Sequence, residues 1–357
     1  MKYVIALLLI AFSISSCSKE LDIDIKENNS SKYPFTKGSI ITLKSGVKVK
    51  ELDGKMFFGD ILLSEKDYRL LEETGSIFRE EEYQDSSYVG EKGIPVSPTL
   101  GISALPYELR AFGLNPSLGK FWTMLRYTFA SNLQDWQKNS IVNAMKYMES
   151  VTNVRFYDAN NEPKIDPNYG FEYPYVEFTY SESINSSYVG RKGGKQILLL
   201  SDYNQGTIVH EICHALGMYH EQSRHDRDSH IKVLYENIEP GEEYNFSKVS
   251  NNYYYVGKFD FESVMIYGSL AFSKNNKPTI TKLDGSTFTG HKNVLSESDR
   301  SFLNRFYLPY KGTKDICLEL DSVVYNAYNE KLSKSVRESL EASINQGRCY
   351  RSYPRNK

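Results

Sequence analysis

Hydrophobic and polar positions fall into blocks of contrasting period along this chain. Behind Met1-Lys2-Tyr3, residues 4–14 are almost wholly apolar, and Ser15-Ser16-Cys17 follows. A basic start, a short apolar core and small residues before a cleavage point make an export signal over residues 1–16. The run is too short to span a bilayer comfortably. Residues 18–35 are polar and charged and read as a linker. Lys120–Ala130 has the aromatic-rich pattern of a strand. Leu133–Val151, capped by Ser131 or Asn132, places Trp136, Ile141, Met145 and Met148 near one face of a helix. Tyr175–Tyr180 and Gln196–Leu200 read as strands, and Gly206–Leu216 as a helix closed by Gly217. Ser296-Glu297-Ser298-Asp299 has the spacing of a capping box and opens a short helix carrying Phe302, Leu303 and Phe306. Near the end, Val324, Leu332, Val336, Leu340 and Ile344 recur at multiples of four, which predicts one amphipathic helix stopped at Gly347.

Composition narrows the chemistry. The 357 residues carry 43 Lys+Arg against 45 Asp+Glu, a balance that gives no electrostatic case for nucleic acid or an anionic surface. Four cysteines, at 17, 213, 317 and 349, are too few and scattered for a disulfide scaffold. Cys213 reads as a small core residue, while Cys317 and Cys349 flank the C-terminal helix and can pair in an oxidising compartment. One internal echo stands out: Ser86–Gly93 matches Ser186–Gly193 at seven of eight positions. It reflects shared strand-turn chemistry, or a first copy that fills a strand site the second helps to build.

Five of the six histidines (210, 214, 220, 225 and 230) lie within 21 positions. Residues 210–221 read His-Glu-Ile-Cys-His-Ala-Leu-Gly-Met-Tyr-His-Glu. On a helix, i and i+4 lie one above the other, so His210 and His214 can present two imidazoles to one ion. Glu211, one step around, sits where a general base must be to take a proton from an activated water. Gly217 permits a positive φ, so the chain can turn back and bring His220 in as a third ligand. Three nitrogens leave a position open, the mark of a catalytic zinc site with one Zn2+ per chain. No motif claims His225, His230 or His291.

His210–Glu221, continued by Arg224, Asp226, Arg227 and Asp228, resembles the astacin family of zinc metallopeptidases, a branch of the metzincins. Ser263-Val264-Met265-Ile266-Tyr267 is similar to the family's Met-turn, Ser187–Gly190 with Gly193, Gly194 and Gln196 to its edge strand and turn, and Leu295–Tyr307 to its closing helix. The resemblance implies an α+β, zincin-like, two-lobed catalytic domain with a mixed twisted sheet, an active-site helix and a Met-turn. It implies Met265 as an apolar floor beneath the metal and Tyr267 as an oxyanion-stabilising phenol. Glu221 would form a salt bridge to the freed N-terminus, and the Ser187–Gly190 strand would hold an extended substrate. Phe57-Phe58-Gly59-Asp60 resembles the family's prosegment motif, in which the aspartate occupies the open zinc position; Asp60 is thereby the expected zymogen latch. Ile14–Cys17 resembles the lipobox of bacterial lipoproteins, which implies acylation of Cys17 after cleavage.

The expected organisation is a signal peptide over 1–16, a linker and inhibitory prosegment over 17–110, a catalytic domain over 111–312 and a helical extension over 313–357. The expected activity is a zinc endopeptidase, made as a zymogen, cut by an activating protease and acting on proteins or peptides. It is anchored to the cell envelope or surface by the lipid, with the mature domain open to release. The competing class is a catalytically weak binding lipoprotein on the same fold, which intact Glu211 and Tyr267 disfavour. Lys274 and Lys282 are candidates for an acidic preference past the scissile bond. Departures exist: Ile266 stands where the family usually has histidine, and the family's cysteine positions fall on Asn153, Asn185 and Asp202.

Overall fold

The largest sheet joins two stretches that are far apart in sequence. The computed structural model describes residues 38–75, 111–114, 121–167, 170–249, 253–256, 258–290, 292–312 and 318–345. Cys17, His291, Cys317, Gly347, Cys349, the export signal and Ser86–Gly93 lie outside them.

The first stretch is an antiparallel meander of β1 (Ser39–Thr42), β2 (Lys48–Leu52), β3 (Lys55–Phe58) and β4 (Ile61–Leu63). Helix α1 (Glu65–Thr74) follows. Ser64 and Asp67 close a reciprocal capping box at its start, and Gly75, at φ +72°, ends it in the left-handed region. A short strand β5 (Ala111–Leu114) comes next.

The second stretch supplies β6 (Leu125–Phe129), α2 (Asp135–Val151), β7 (Phe156–Asp158), β8 (Tyr175–Tyr180), β9 (Ser186–Ser187), β10 (Lys195–Leu200) and α3 (Gln205–Ala215). Strands β7, β6, β8 and β10 run parallel, and β9 is antiparallel to β10. Strand β4 then pairs parallel with β9 at Ile61 and Ser187, giving the order β1-β2-β3-β4-β9-β10-β8-β6-β7. The central strands β8 and β10 are buried over most of their length, as strands covered on both faces require. Beyond α3 the chain makes short 3-10 turns and β11 (Ile231–Val233), β12 (Tyr253–Val256) and β13 (Ile280–Lys282). Strand β11 pairs with β13 and β12 with β5. Helices α4 (Glu297–Phe306) and α5 (Lys334–Asn345) complete an α+β fold.

The main core gathers Ile141, Met145 and Met148 of α2, Ile208 and Ile212 of α3, Val176, Phe178, Leu198 and Leu200 of the sheet, and Phe302 and Leu303 of α4. Trp136 is not part of it: the side chain is 56% exposed and stands edge-on to Tyr203. The helix also starts later than its caps predict. Asn132 exchanges hydrogen bonds with the Tyr180 backbone instead, and Gln134 takes the cap position with Gln137 reaching back to its N–H. The predicted 120–130 strand narrows to β6, because Trp122 turns inward to donate to the Ala215 carbonyl.

The C-terminal pattern is split between two structures. Only α5 is helical, and Val336 on it is half exposed. Val324 and Leu332 precede α5 and face each other across a turn, with Leu332 N–H donating to the Val324 carbonyl. Their separation of eight therefore bridges two extended segments rather than two helical turns. Leu320, Val324 and Leu340 form the small core of this extension, with Leu308, Tyr310, Leu332 and Ile344 against it. Asn153 fastens it to the main domain. Its side chain accepts from Tyr325 N–H and donates to the Tyr325 and Asn304 carbonyls, and Asn304 Oδ1 accepts from its N–H. At the other family cysteine positions, Asn185 Oδ1 accepts from Asp202 N–H at 3.0 Å.

Candidate metal centre

Helix α3 begins at Asn204, whose side chain accepts from Thr207 N–H. At its other end, Trp122 Nε1 and Tyr307 OH donate to the carbonyls of Ala215 and Leu216, groups the helix leaves unbonded. Gly217, at φ +100°, then reverses the chain so that His220 returns to the helix face.

The three imidazoles converge there. His214 Nε2 and His210 Nε2 each lie 3.2 Å from His220 Nε2. The carboxylate of Asp60, from the two-residue turn between β3 and β4, enters from the opposite side. Its oxygens are 3.0 and 3.1 Å from His220 Nε2, 3.4 Å from His210 Nε2 and 3.5 Å from His214 Nε2. Gly59 allows this approach: its φ is +71°, and a Cβ there would meet Asn245 Oδ1 at 3.0 Å. The ring orientations are fixed from behind. His210 Nδ1 donates to the Val264 carbonyl and His214 Nδ1 to the Met218 carbonyl, each at 2.9 Å, which turns both Nε2 lone pairs toward the centre.

This arrangement sets acceptors against acceptors. A proton between His210 and Asp60 settles one of the contacts, and Asp60 Oδ1 still has no hydrogen-bond partner. Burial pushes His214 downward and His220 down to about 4, so both rings are neutral near pH 7. His210 moves upward, because Asp60 more than offsets its burial. Donors 2.0–2.1 Å from a tetrahedral ion stand about 3.3–3.4 Å apart. The five donor spacings of 3.0–3.5 Å fit zinc, all four donors lie within 4.8 Å of one another, and this quartet is the one cluster of metal-ligating type among the described residues.

Glu211 is buried beside the cluster, and its Oε2 has no hydrogen-bond partner. Burial, with the Asp60 charge, pushes its carboxyl well above the ordinary range. Tyr267 OH stands 3.5 Å from Asp60 Oδ2, and its ring lies 4.5 Å from that of His220. Met265 is fully buried in the Met-turn, and Ile266 packs into an apolar cluster with Phe259 and Ile280. Glu221 lies apart from the quartet, where it pairs with fully buried Arg224 at 3.2 Å and accepts from Asp260 N–H. Burial lifts its carboxyl to about 8 despite that arginine. Cys213 is fully buried in the main core. His225 is exposed, and His230 stacks on Phe259. Lys282 sits over the Phe261 ring. Strand β9 is shorter than expected, and its outer edge carries Asp60: Ser187 N–H and Ser186 Oγ both donate to the Asp60 carbonyl.

Two supporting residues escape the motif reading. Asp299, visible in sequence only as a helix cap, also accepts from Ser263 Oγ at 2.7 Å and Val264 N–H at 2.8 Å. It thereby holds the turn whose Val264 carbonyl orients His210. Gln222 accepts from Tyr267 N–H. The polar pair Asp299/Ser263 was the available signal, but 36 residues separate them.

The astacin peptidase family matches residues 115–308, more than half of the chain. The chain belongs to the astacin family. Astacins bind one zinc ion, and the matched stretch is a zinc metalloproteinase domain with the quartet at its centre. Zinc metalloproteinase nas-14 of Caenorhabditis elegans is 37% identical over 195 residues, covering 53% of this chain and 37% of that protein. Flavastacin of Elizabethkingia meningoseptica is 35% identical over 201 residues, covering 56% of this chain and 41% of that one. The chain thus spans well under half the length of these curated relatives. High choriolytic enzyme 1 of Oryzias latipes matches as a solved structure with 30% identity and a TM-score of 0.46, over 52% of this chain and 93% of that chain. Among the described residues, no helix is long and apolar enough to cross a membrane.

Proposed function

We propose that this protein is a zinc endopeptidase made as a zymogen, with residues 17–110 as linker and inhibitory prosegment, 111–312 as catalytic domain and 313–357 as extension. One observation carries the reading: Asp60, 150 residues before the motif, brings its carboxylate to within 3.0–3.5 Å of the Nε2 atoms of His210, His214 and His220.

Bound zinc supplies Lewis acidity, which polarises a peptide carbonyl and makes water a nucleophile near neutral pH. The chain's residues do the rest once Asp60 has left. The backbone of β9 pairs with an extended peptide and lays its scissile bond across the cluster. Glu211 takes a proton from the attacking water at Oε2, where nothing competes for it. Oxygen joins the carbonyl carbon, and Tyr267 OH donates to the oxygen that gains charge. Glu211 returns the proton to the amide nitrogen, the C–N bond breaks and the amine leaves.

Export, acylation at Cys17, cleavage by an activating protease between Asp60 and about Phe121, and pairing of Cys317 with Cys349 belong to the same reading and rest on sequence. Globomycin-sensitive labelling with a fatty acid tests the anchor, and mass mapping of unreduced peptides tests the disulfide. The activity is tested on protein freed of residues 38–75 by proteolysis: casein hydrolysis must stop with a chelator and return with zinc. Hydrolysis indifferent to the chelator would refute the proposal.

A further inference from the structure

We infer that residues 38–75 are a non-covalent inhibitor subunit that stays docked after the connection to the catalytic domain is cut. One cleavage between residues 76 and 110 would therefore yield a silent two-chain complex, and activity would require a second event that destroys or strips the segment. This rests on the peptidase reading and goes past the Asp60 contact itself, since the docking surface is built mostly from other residues.

The surface has three parts. Its backbone part is the β4–β9 pairing at Ile61 and Ser187, with Ser187 N–H donating to the Asp60 carbonyl at 3.2 Å. Its apolar part places Val49, Ile61, Leu63 and Leu71 of the segment against Val189 and Tyr219, and Phe57 and Leu62 against Ile184, Leu199 and Phe246. Its charged part is two ion pairs closed off from water. Lys50 Nζ meets Glu242 Oε1 at 3.0 Å with the side chains 3% and 12% exposed, and Lys192 Nζ meets Asp67 Oδ2 at 2.8 Å with 14% and 5% exposed.

The polarity of the pairs alternates. The segment gives the cation at Lys50 and the anion at Asp67, so exchanging the two sites would set like charges together. Asp67 is also the capping-box residue of α1, bonded to Ser64 N–H and Oγ. The same carboxylate thus closes the helix and docks it, which couples the segment's folding to its binding. Strands β1 to β4 form one flank of the nine-stranded sheet, so leaving the surface breaks the β4–β9 pairing and uncovers Phe57, Leu62 and Leu71 together, which slows departure.

Among the described residues, helix α1 ends at its own left-handed cap, Gly75, and the contacts lie between residues 38 and 75 on one side and Phe121, residues 184–249 and Tyr267 on the other. Exposed turns at Lys44–Gly46 and Asp53–Gly54 offer a second protease its entry. Because Cys17 precedes the segment, a lipid-anchored enzyme would stay at the membrane through the first cut and leave at the second.

The test uses the full chain with a site for a specific protease inserted between residues 84 and 100. After complete cutting, gel filtration and casein hydrolysis are read together. The inference requires both fragments to co-elute and hydrolysis to stay at the uncut level. Asp60→Ala must still co-elute, because the surface outlasts the loss of that carboxylate. Lys50→Ala and Lys192→Ala, checked before cutting for an unchanged elution volume and cooperative melt, should each raise the dissociation constant of the cut segment by about 30-fold or more. Wild-type fragments that separate on the column immediately after cutting would overturn the inference. So would single variants that hold the segment as tightly as wild type. Absence of hydrolysis after the segment has been removed would instead refute the peptidase reading, so the two failures are distinguishable.

Discussion

Asn153→Ala removes an amide that is wholly buried and carries three side-chain hydrogen bonds, two to Tyr325 and one to Asn304. A net intramolecular hydrogen bond contributes about 1 kcal/mol, and orphaning buried partners costs more. The loss is about 3–4 kcal/mol on that basis, since Tyr325 N–H and two carbonyls are left facing the vacated space. For a domain of this size that is about 6–16 °C in Tm. The loss should also loosen residues 318–345, whose other ties include Arg155–Asp321, Ser301 to the Ala327 carbonyl, Asn304 to Asn329 and Tyr325 OH to the Ser150 carbonyl. Differential scanning fluorimetry with limited proteolysis reads both effects. A Tm within about 1 °C of wild type, with the C-terminal segment equally protected, would refute the role given to Asn153.

Other outcomes follow from the same structure. Gly59→Ala places a Cβ at φ +71° and 3.0 Å from Asn245 Oδ1, which strains the docked turn by about 1–2 kcal/mol and should raise basal hydrolysis by the uncut chain about 5–30-fold; an unchanged rate counts against the latch geometry. Burial lifts the Asp299 carboxyl to about 6, so the native state binds its proton more tightly than the unfolded chain does. Its contribution is complete below pH 4 and lost as pH rises through 6, by about 3 kcal/mol. Urea unfolding of Asp299→Asn against wild type should therefore shift in favour of the asparagine between pH 4 and 7, and a pH-independent difference would refute the assignment. Chelation should lower Tm of the full chain by about 5–11 °C relative to protein at 100 times its zinc dissociation constant. Equal melting curves would mean the quartet is not loaded.

The parts legible in sequence are those whose spacing is local. His210 and His214 sit one helical turn apart, Gly217 marks the reversal, and Asp299 three residues after Ser296 marks a cap; each depends on backbone geometry over a few residues. Asp60 was readable only through the family's tetrapeptide. What escaped depends on contacts across the chain. No periodicity pairs Lys50 with Glu242, 192 positions away, or shows that Asp299 also supports Val264. Trp136 fits the helical stripe yet points outward, because Tyr203 offers it a neighbour at the surface. The spacing of Val324 and Leu332 matches a helix and a turn equally well, and tertiary packing against Leu308 and Tyr310 decides for the turn.

In the proposed mechanism Glu211 carries the proton for a metal held by three histidines. The most direct measurement compares wild type with Glu211→Ala after residues 38–75 are removed, reading zinc content and casein hydrolysis on the same samples. One zinc per chain in both and hydrolysis in wild type alone are expected. Comparable hydrolysis by the zinc-loaded variant would contradict this mechanism.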